Sequence, residues 1–375
     1  MKKNLCLLLT LLLLLLTACQ GQQEPVVEAS NTDDVNVEQT KPEEPEEMSV
    51  IAVGDIMFHL PQVTEARSEN GYDFSLPFEK IKNLITQTDV AIGNFETTVN
   101  QKKKLSGFPR FNSPPEVVEG ISKAGFDVMV TANNHCMDTG VEGAENTAAL
   151  IKENGMIPVG NGDYKSTVIE KNGIRLGILA YTVTLNGLKA PAGYVNMADE
   201  EKIQKDIEEI KPNCDFLIVY MHAGVEYYRD VEPETERLFR AVADMGADCV
   251  LGSHPHVARK SEMYQTGDRK VLINYSMGNF LSNQNDKYTD IGTITKLQLS
   301  KLEGKTVLKS FDILPTYRLR FVDTDGRVKR RIVLVSEIEN YSHISDAQSR
   351  YIKTVSNEVT ALLNEEPGHS LEVAE

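Results

Sequence analysis

Two histidines separated by one residue, His254-Pro255-His256, follow the apolar run Cys249-Val250-Leu251 and the pair Gly252-Ser253. In an extended segment, residues two apart point to one side, their Cα atoms about 6.5 Å apart. Pro255 favours that geometry, because the residue before a proline is pushed out of the helical region. Two imidazoles aimed one way suit one metal ion, or two ions about 3.5–4 Å apart. Taken alone, the pattern is also that of a surface turn with two unrelated histidines. Four further segments favour the metal. Val50–Val53 runs through Gly54 into Asp55, and Val90–Ile92 runs through Gly93-Asn94-Phe95 into Glu96. Val128–Thr131 runs into Asn133-Asn134-His135 with Asp138 close behind, and Phe216–Met221 runs into His222. Carboxylate, amide and imidazole donors together suit Zn²⁺, Mn²⁺ or Fe better than Ca²⁺ or Cu(I). Asp55, Glu96, Asn134, His222, His254 and His256 are more donors than one tetrahedral ion needs, which favours a two-metal site. His59 stands about 13 Å from Asp55 if the chain is extended, and is read as structural.

These residues need strands to deliver them. From Met48 the chain alternates short β-rich runs with amphipathic stretches at Pro77–Gln87, Pro115–Ala124, Gly143–Glu153, Glu200–Ile210 and Glu234–Met245. That alternation predicts an α/β domain with largely parallel pairing. In open α/β sheets, ligands bind beyond the carboxyl ends of the strands, where all five polar segments fall. After Gly292 the pattern becomes antiparallel, with strands near Thr293–Leu299, Thr306–Leu314 and Arg331–Val335 and turns at Gly304 and Asp325-Gly326. A last amphipathic helix is expected over Asp346–Asn364. The domain is thus read as residues 48–375, with a core at 48–292 and antiparallel strands plus a helix at 293–375.

The N-terminus is a separate matter. Lys2-Lys3, the leucine run Leu5–Leu16 and Thr17-Ala18-Cys19 describe a secretory signal over residues 1–18. Leu16-Thr17-Ala18-Cys19 resembles the lipobox of bacterial lipoproteins, which implies cleavage before Cys19 and acylation of its sulfur. Two or more acyl chains anchor a protein stably to a membrane. The location expected is therefore extracytoplasmic and lipid-anchored at the bacterial cell membrane. Residues 20–47 carry nine acids against Lys41 and no aromatic residue, half of the chain's net charge of −16. Such a segment is expected to be an unfolded leash spanning roughly 25–30 Å. The remainder is only mildly acidic, which argues against a nucleic-acid partner. Cys136, Cys214 and Cys249 have no close spacing and are expected as buried free thiols.

The blocks Gly54-Asp55, Asn94-Phe95-Glu96, Phe111-Asn112-Ser113-Pro114-Pro115, Asn133-Asn134-His135-Cys136-Met137-Asp138, His222-Ala223-Gly224-Val225-Glu226-Tyr227, Ser253-His254-Pro255-His256 and Ser276-Met277-Gly278-Asn279-Phe280 resemble the CapA family of capsule-synthesis proteins associated with poly-γ-glutamate. That family is similar to calcineurin-like metallophosphatases. The resemblance implies a β-sandwich flanked by helices, a four-layer α/β/β/α fold. It also implies that Asp55 and His256 hold one divalent ion while Asn134, His222 and His254 hold another. Glu96 would bridge them, and His135 would face the substrate as general acid. The pattern departs at two places. Asp55-Ile56-Met57 lacks the second ligand of an Asp-x-His motif, and Glu96 stands where phosphatases use Asp, which weakens the first metal. A polyanionic polymer calls for basic side chains, and Lys102, Lys103, Lys104 and Arg110 follow Glu96. The partners implied are the membrane, the anionic polymer and membrane proteins of capsule synthesis. Three readings follow: a capsule-associated hydrolase, a metal-dependent phosphoesterase without a capsule role, and a non-catalytic polymer-binding or assembly subunit.

Overall fold

The computed structural model describes residues 44–363, apart from 325, 342 and 343. The signal segment, Cys19 and the acidic leash up to residue 43 lie outside the described residues. Two mixed sheets face each other. The first runs Val328–Leu334, Lys305–Val322, Ile291–Leu302, Glu46–Ile56, Val90–Phe95, Val128–Val130, Ile157–Val159, and the short strand Asn279–Leu281 pairs with Glu46–Ile56. The second runs Ser261–Thr266, Arg269–Asn274, Cys249–Ser253, Phe216–His222, Ile174–Thr182, Ser166–Lys171. The strands that carry the polar ends pair in parallel, Glu46–Ile56 with Val90–Phe95 and Phe216–His222 with Cys249–Ser253.

The two-residue period of a strand explains the layering. Along the first strand, Met48, Val50 and Ala52 enter the core between the sheets, where they meet Ile218, Tyr220 and Leu251 of the second. Their neighbours Ile51 and Val53 face outward and pack under the helices Glu116–Ala124 and Gly140–Glu153. Leu217, Val219 and Met221 likewise face outward under Glu200–Ile210 and Pro233–Asp244. Strands buried on both faces read as unbroken apolar runs, and each such side chain removed from water stabilises by about 1.5–3 kcal/mol. The result is the expected four-layer α/β/β/α sandwich. The Tyr220 hydroxyl donates to the carbonyl of Val53, tying the sheets together two residues short of Asp55.

Several boundaries differ from expectation. The first strand opens at Glu46, so the acidic stretch ends inside the fold. Glu47 pairs with Lys309 at 2.5 Å and Glu46 with Lys301 at 3.6 Å. Pro77–Gln87 is not one helix but a 3₁₀ turn, Leu76–Phe78, and a short helix, Lys82–Thr86. Ile157–Val159 was hidden by Pro158, which is tolerated because this strand closes the sheet's edge. Glu303 and Gly304, at φ +52° and +77°, form the expected tight turn of the hairpin after Leu302. The C-terminal helix covers Asp346–Leu363.

Candidate metal centre

Asp55 reaches the site because Gly54 lets two backbones meet. A Cβ on Gly54 would lie 1.9 Å from the carbonyl oxygen of Gly278, and the Asp55 amide donates to that same oxygen at 3.0 Å. Opposite Asp55 in the ladder sits Asn94, whose Nδ2 donates to Asp55 Oδ1 at 2.8 Å. Asn133 Nδ2 in turn donates to Asn94 Oδ1 at 3.0 Å and to the Phe95 carbonyl at 2.9 Å. A chain of amides thus fixes the carboxylate from its own sheet. Glu96 follows, wholly buried.

The second sheet supplies the imidazoles. His222 stands beside Ser253 in register, with Nδ1 2.9 Å from Ser253 Oγ and Nε2 3.1 Å from Asn134 Oδ1. His256 Nδ1 lies 3.0 Å from Asp55 Oδ2 and 3.1 Å from Asn279 Oδ1. The His254 ring centroid is 4.6 Å from that of His222. The expectation that His254-Pro255-His256 is extended does not hold. His254 and His256 have φ of +99° and +60°, a conformation that costs a side-chain-bearing residue on the order of 1–3 kcal/mol and persists only when its surroundings impose it. Here Pro255 accepts from the Tyr227 amide at 2.8 Å and the His254 amide points at Asp55 Oδ2 at 3.4 Å. The rings still converge, with centroids 6.2 Å apart.

The electrostatics of the cluster call for a cation. Ligand atoms of Asp55, Glu96 and His222 lie within 4.8 Å of one another. Glu96 Oε1 is 3.7 Å from His222 Nε2 and 3.9 Å from His256 Nε2. Yet both Glu96 oxygens, and Nδ1 of His254, are buried without a hydrogen-bond partner among the described residues. Burial first and the charge of Asp55 second push the Glu96 carboxyl well above the usual carboxylate range. Burial pushes the other way on Asp55, but the hydrogen bond and charge of His256 hold it below its ordinary value. Burial and the neighbouring His254 drive His222 well below an ordinary imidazole. Burial, reinforced by His256, lowers His254 to about 4. Neutral imidazoles beside carboxylates and amide oxygens are a donor set that suits a divalent transition metal.

Of the residues singled out by sequence, Asp55, Glu96, Asn134, His222, His254 and His256 meet at one end of the sandwich, the first three from one sheet and the histidines from the other. His135 lies at the rim. Its Nδ1 is 2.7 Å from Asp138 Oδ2, which also accepts from the Phe111 amide at 2.6 Å. The ring packs edge-on against Phe111 at 4.7 Å, leaving Nε2 as the nitrogen available to a substrate. Arg110 joins this group, its Nη1 3.3 Å from Asp138 Oδ1 and its Nη2 donating to Asn186 O at 3.1 Å. The lysines behave differently. Lys102 pairs with Glu142 at 2.5 Å, Lys103 donates to the Thr139 carbonyl at 2.9 Å, and Lys104 is exposed. His59 comes nearer than its spacing suggests, because the helix Leu60–Glu65 starts there and turns the chain back. Its ring packs edge-on against Phe111 at 4.9 Å, and Nδ1 accepts from the Asn283 amide. Asn94, Asn133, Ser253 and Asn279 escaped the sequence reading as members of the site. For three of them the signal is adjacency, one or two residues from a recognised ligand, whereas Asn279 opens the short strand Asn279–Leu281. Cys136, Cys214 and Cys249 are free and buried, as expected.

Against known proteins, the profile of the family described as "Bacterial capsule synthesis protein PGA_cap" matches residues 49–284. The chain is 29% identical to "Capsule biosynthesis protein CapA" of Bacillus anthracis, over 76% of this chain and 75% of that protein. It is 30% identical to "PGA biosynthesis protein CapA" of Bacillus subtilis strain 168, over 68% of each. Among solved structures, the calcineurin-like phosphoesterase YfkN of Bacillus subtilis aligns with 14% identity and a TM-score of 0.47, over 85% of this chain and 99% of that one.

Proposed function

Because the chain belongs to the PGA_cap family of bacterial capsule synthesis proteins, we propose that it is a capsule-associated hydrolase acting on an anionic polymer of the poly-γ-glutamate kind. The observation that carries this reading is Glu96, a buried carboxylate with neither oxygen partnered, set between His222 and His256. Leaving a carboxylate so placed costs several kcal/mol unless a cation shares the site. Asp55, Glu96, Asn134, His222, His254 and His256 would hold one or two divalent ions, of Mn, Zn or Fe. Such an ion, when bound, lowers the pKa of water and polarises the bond under attack. The protein's own part is proton delivery and orientation. Asp138 fixes His135 through Nδ1, so that Nε2 can protonate the departing nitrogen as water oxygen bonds to the carbonyl carbon and the C–N bond breaks, the proton released by the water replacing the one His135 gives up. Arg110, held by Asp138 and Asn186, offers a cation beside that nitrogen for a substrate carboxylate. Lys104 adds charge farther out. Acylation of Cys19 and the leash behind it would keep the domain at the outer face of the cell membrane, close to where polymer and membrane capsule proteins meet.

The test is elemental analysis of the full chain purified in detergent, beside its His254→Ala form. One or more equivalents of transition metal in the first, and a clear loss in the second, is the expected result. Less than one equivalent, unchanged by the substitution, would instead favour a polymer-binding subunit without catalysis. Fatty-acid labelling lost in Cys19→Ala checks the anchor.

A further inference from the structure

The rim of the metal centre has two electrically different sides. On one side stand His135, Asp138 and Arg110, with the Arg110 side chain 40% exposed. The other side is the segment Gly224–Tyr228, which begins two residues after His222. This segment is held with unusual firmness. Arg259, three residues beyond His256, is wholly buried. Its Nη2 donates to the Val225 carbonyl at 2.9 Å, its Nε to the Tyr228 carbonyl at 2.8 Å, and both terminal nitrogens to Glu232 at 2.8 Å. Gly224, at φ +118°, makes room for it, since a Cβ there would lie 2.7 Å from Arg259 Nη1. Tyr227, at φ +65°, donates its amide to Pro255 and sets its ring 5.8 Å from that of His256. Its hydroxyl accepts from Gln284 Nε2 at 3.0 Å.

Glu226 sits between these anchors. Its neighbours are pinned on both sides, yet its half-buried carboxylate makes no hydrogen bond or ion pair among the described residues. Its charge reaches Glu96 and, with that of Asp286, the Tyr227 hydroxyl. An unpaired carboxylate on this pinned segment, next in the chain to the tyrosine that lies beside His256, is unfavourable by itself. It becomes favourable when a ligand brings a positive group to it.

We propose that Glu226 is a specificity-determining residue that receives a substrate ammonium, so that the centre acts on a unit carrying a free amine on one side of the scissile bond and a carboxylate on the other. Arg110 takes that carboxylate across the site, and Arg259 is the positioning residue behind Glu226. The natural fit is the amino-terminal residue of a γ-linked glutamyl chain rather than its interior, where every amine is acylated. This rests on the hydrolase reading above and names the end of the polymer it engages.

Calorimetry of the full chain in detergent with γ-glutamylglutamate and with its N-acetylated form tests the assignment, with and without added Mn²⁺. The free-amine peptide is expected to bind about tenfold more tightly, the effect of one charge-assisted hydrogen bond. Glu226→Gln is expected to erase that preference while leaving affinity for the acetylated form, thermal unfolding and bound manganese unchanged. Arg259→Lys, which keeps the charge but loses the fork, is expected to lessen the preference in part. Equal binding of the two peptides, a preference that survives Glu226→Gln, or no binding of either would overturn the proposal. A fall in bound manganese in Glu226→Gln would make the residue a metal ligand and overturn it too. Absence of any transition metal from all forms, with the amine preference intact, would sink the hydrolase reading and leave only the amine-binding assignment of Glu226 standing.

Discussion

Replacing Glu96 by glutamine in metal-depleted protein is the sharpest probe of the centre. A carboxyl whose folded pKa lies above its unfolded value holds a proton in the native state that the unfolded chain releases. Stability therefore falls as pH rises, beginning at the ordinary value of 4.5 and ending at the raised folded value. The slope for one proton is about 1.4 kcal/mol per pH unit. Wild type accordingly loses stability relative to Glu96→Gln as pH rises from 4.5 to the raised folded value, because the variant has no proton to lose. His222 and His254 act in the opposite sense. Both are held neutral when folded, so they weaken the protein as pH falls below about 6.5. They are present in both forms and cancel in the difference. The assay is urea unfolding of EDTA-treated wild type and Glu96→Gln at pH 5 and pH 7.5. The variant should gain on wild type as pH rises, and saturating Mn²⁺ should reverse the order, since an ion at a thousand times its Kd stabilises by about 4 kcal/mol. Parallel pH profiles without metal would refute the view that the buried Glu96 carboxyl resists ionisation.

Other expectations can be checked alongside. Gly54→Ala should cost more than about 3 kcal/mol or abolish folding, because its methyl group would meet the Gly278 carbonyl; thermal unfolding measures this. Arg259→Met should cost about 3–5 kcal/mol, since it strands Glu232 and two backbone carbonyls; denaturant unfolding reads it. Asp138→Asn should lower turnover of a γ-glutamyl amide about a hundredfold with little change in KM, as His135 loses the partner that orients it. Cys136, whose thiol burial pushes up to about 12, should resist thiol reagents at pH 8 until the protein is unfolded.

Much of this centre was legible in the sequence because strand ends announce themselves. An apolar run that stops on Asp55, Glu96, Asn134 or His222 has a physical reason to stop there, and all four side chains meet. Which sheet each strand joins was not legible. Val50–Val53 and Phe216–Met221 are equally apolar on both faces, so periodicity cannot tell one sheet from two facing ones. The backbone at His254 was misread because the local preference before Pro255 was outweighed by tertiary contacts with Asp55 and Tyr227. The lysines are a related case. A run of like charges suggests a binding surface, but Lys102 and Lys103 are occupied by Glu142 and Thr139, and Arg110 is the cation that reaches the rim. The supporting amides, Asn94 and Asn279, resemble ordinary turn residues until their partners are known.

The donors are divided between the two sheets, three oxygen-bearing side chains on one and three imidazoles on the other. An ion held by donors from both would therefore tie one sheet to the other. A growing chain has its oxygen donors by residue 134 and must wait for residue 256 before a complete pocket exists. A bound ion would then be a rivet across the seam, and its removal would be felt first where the two sheets meet.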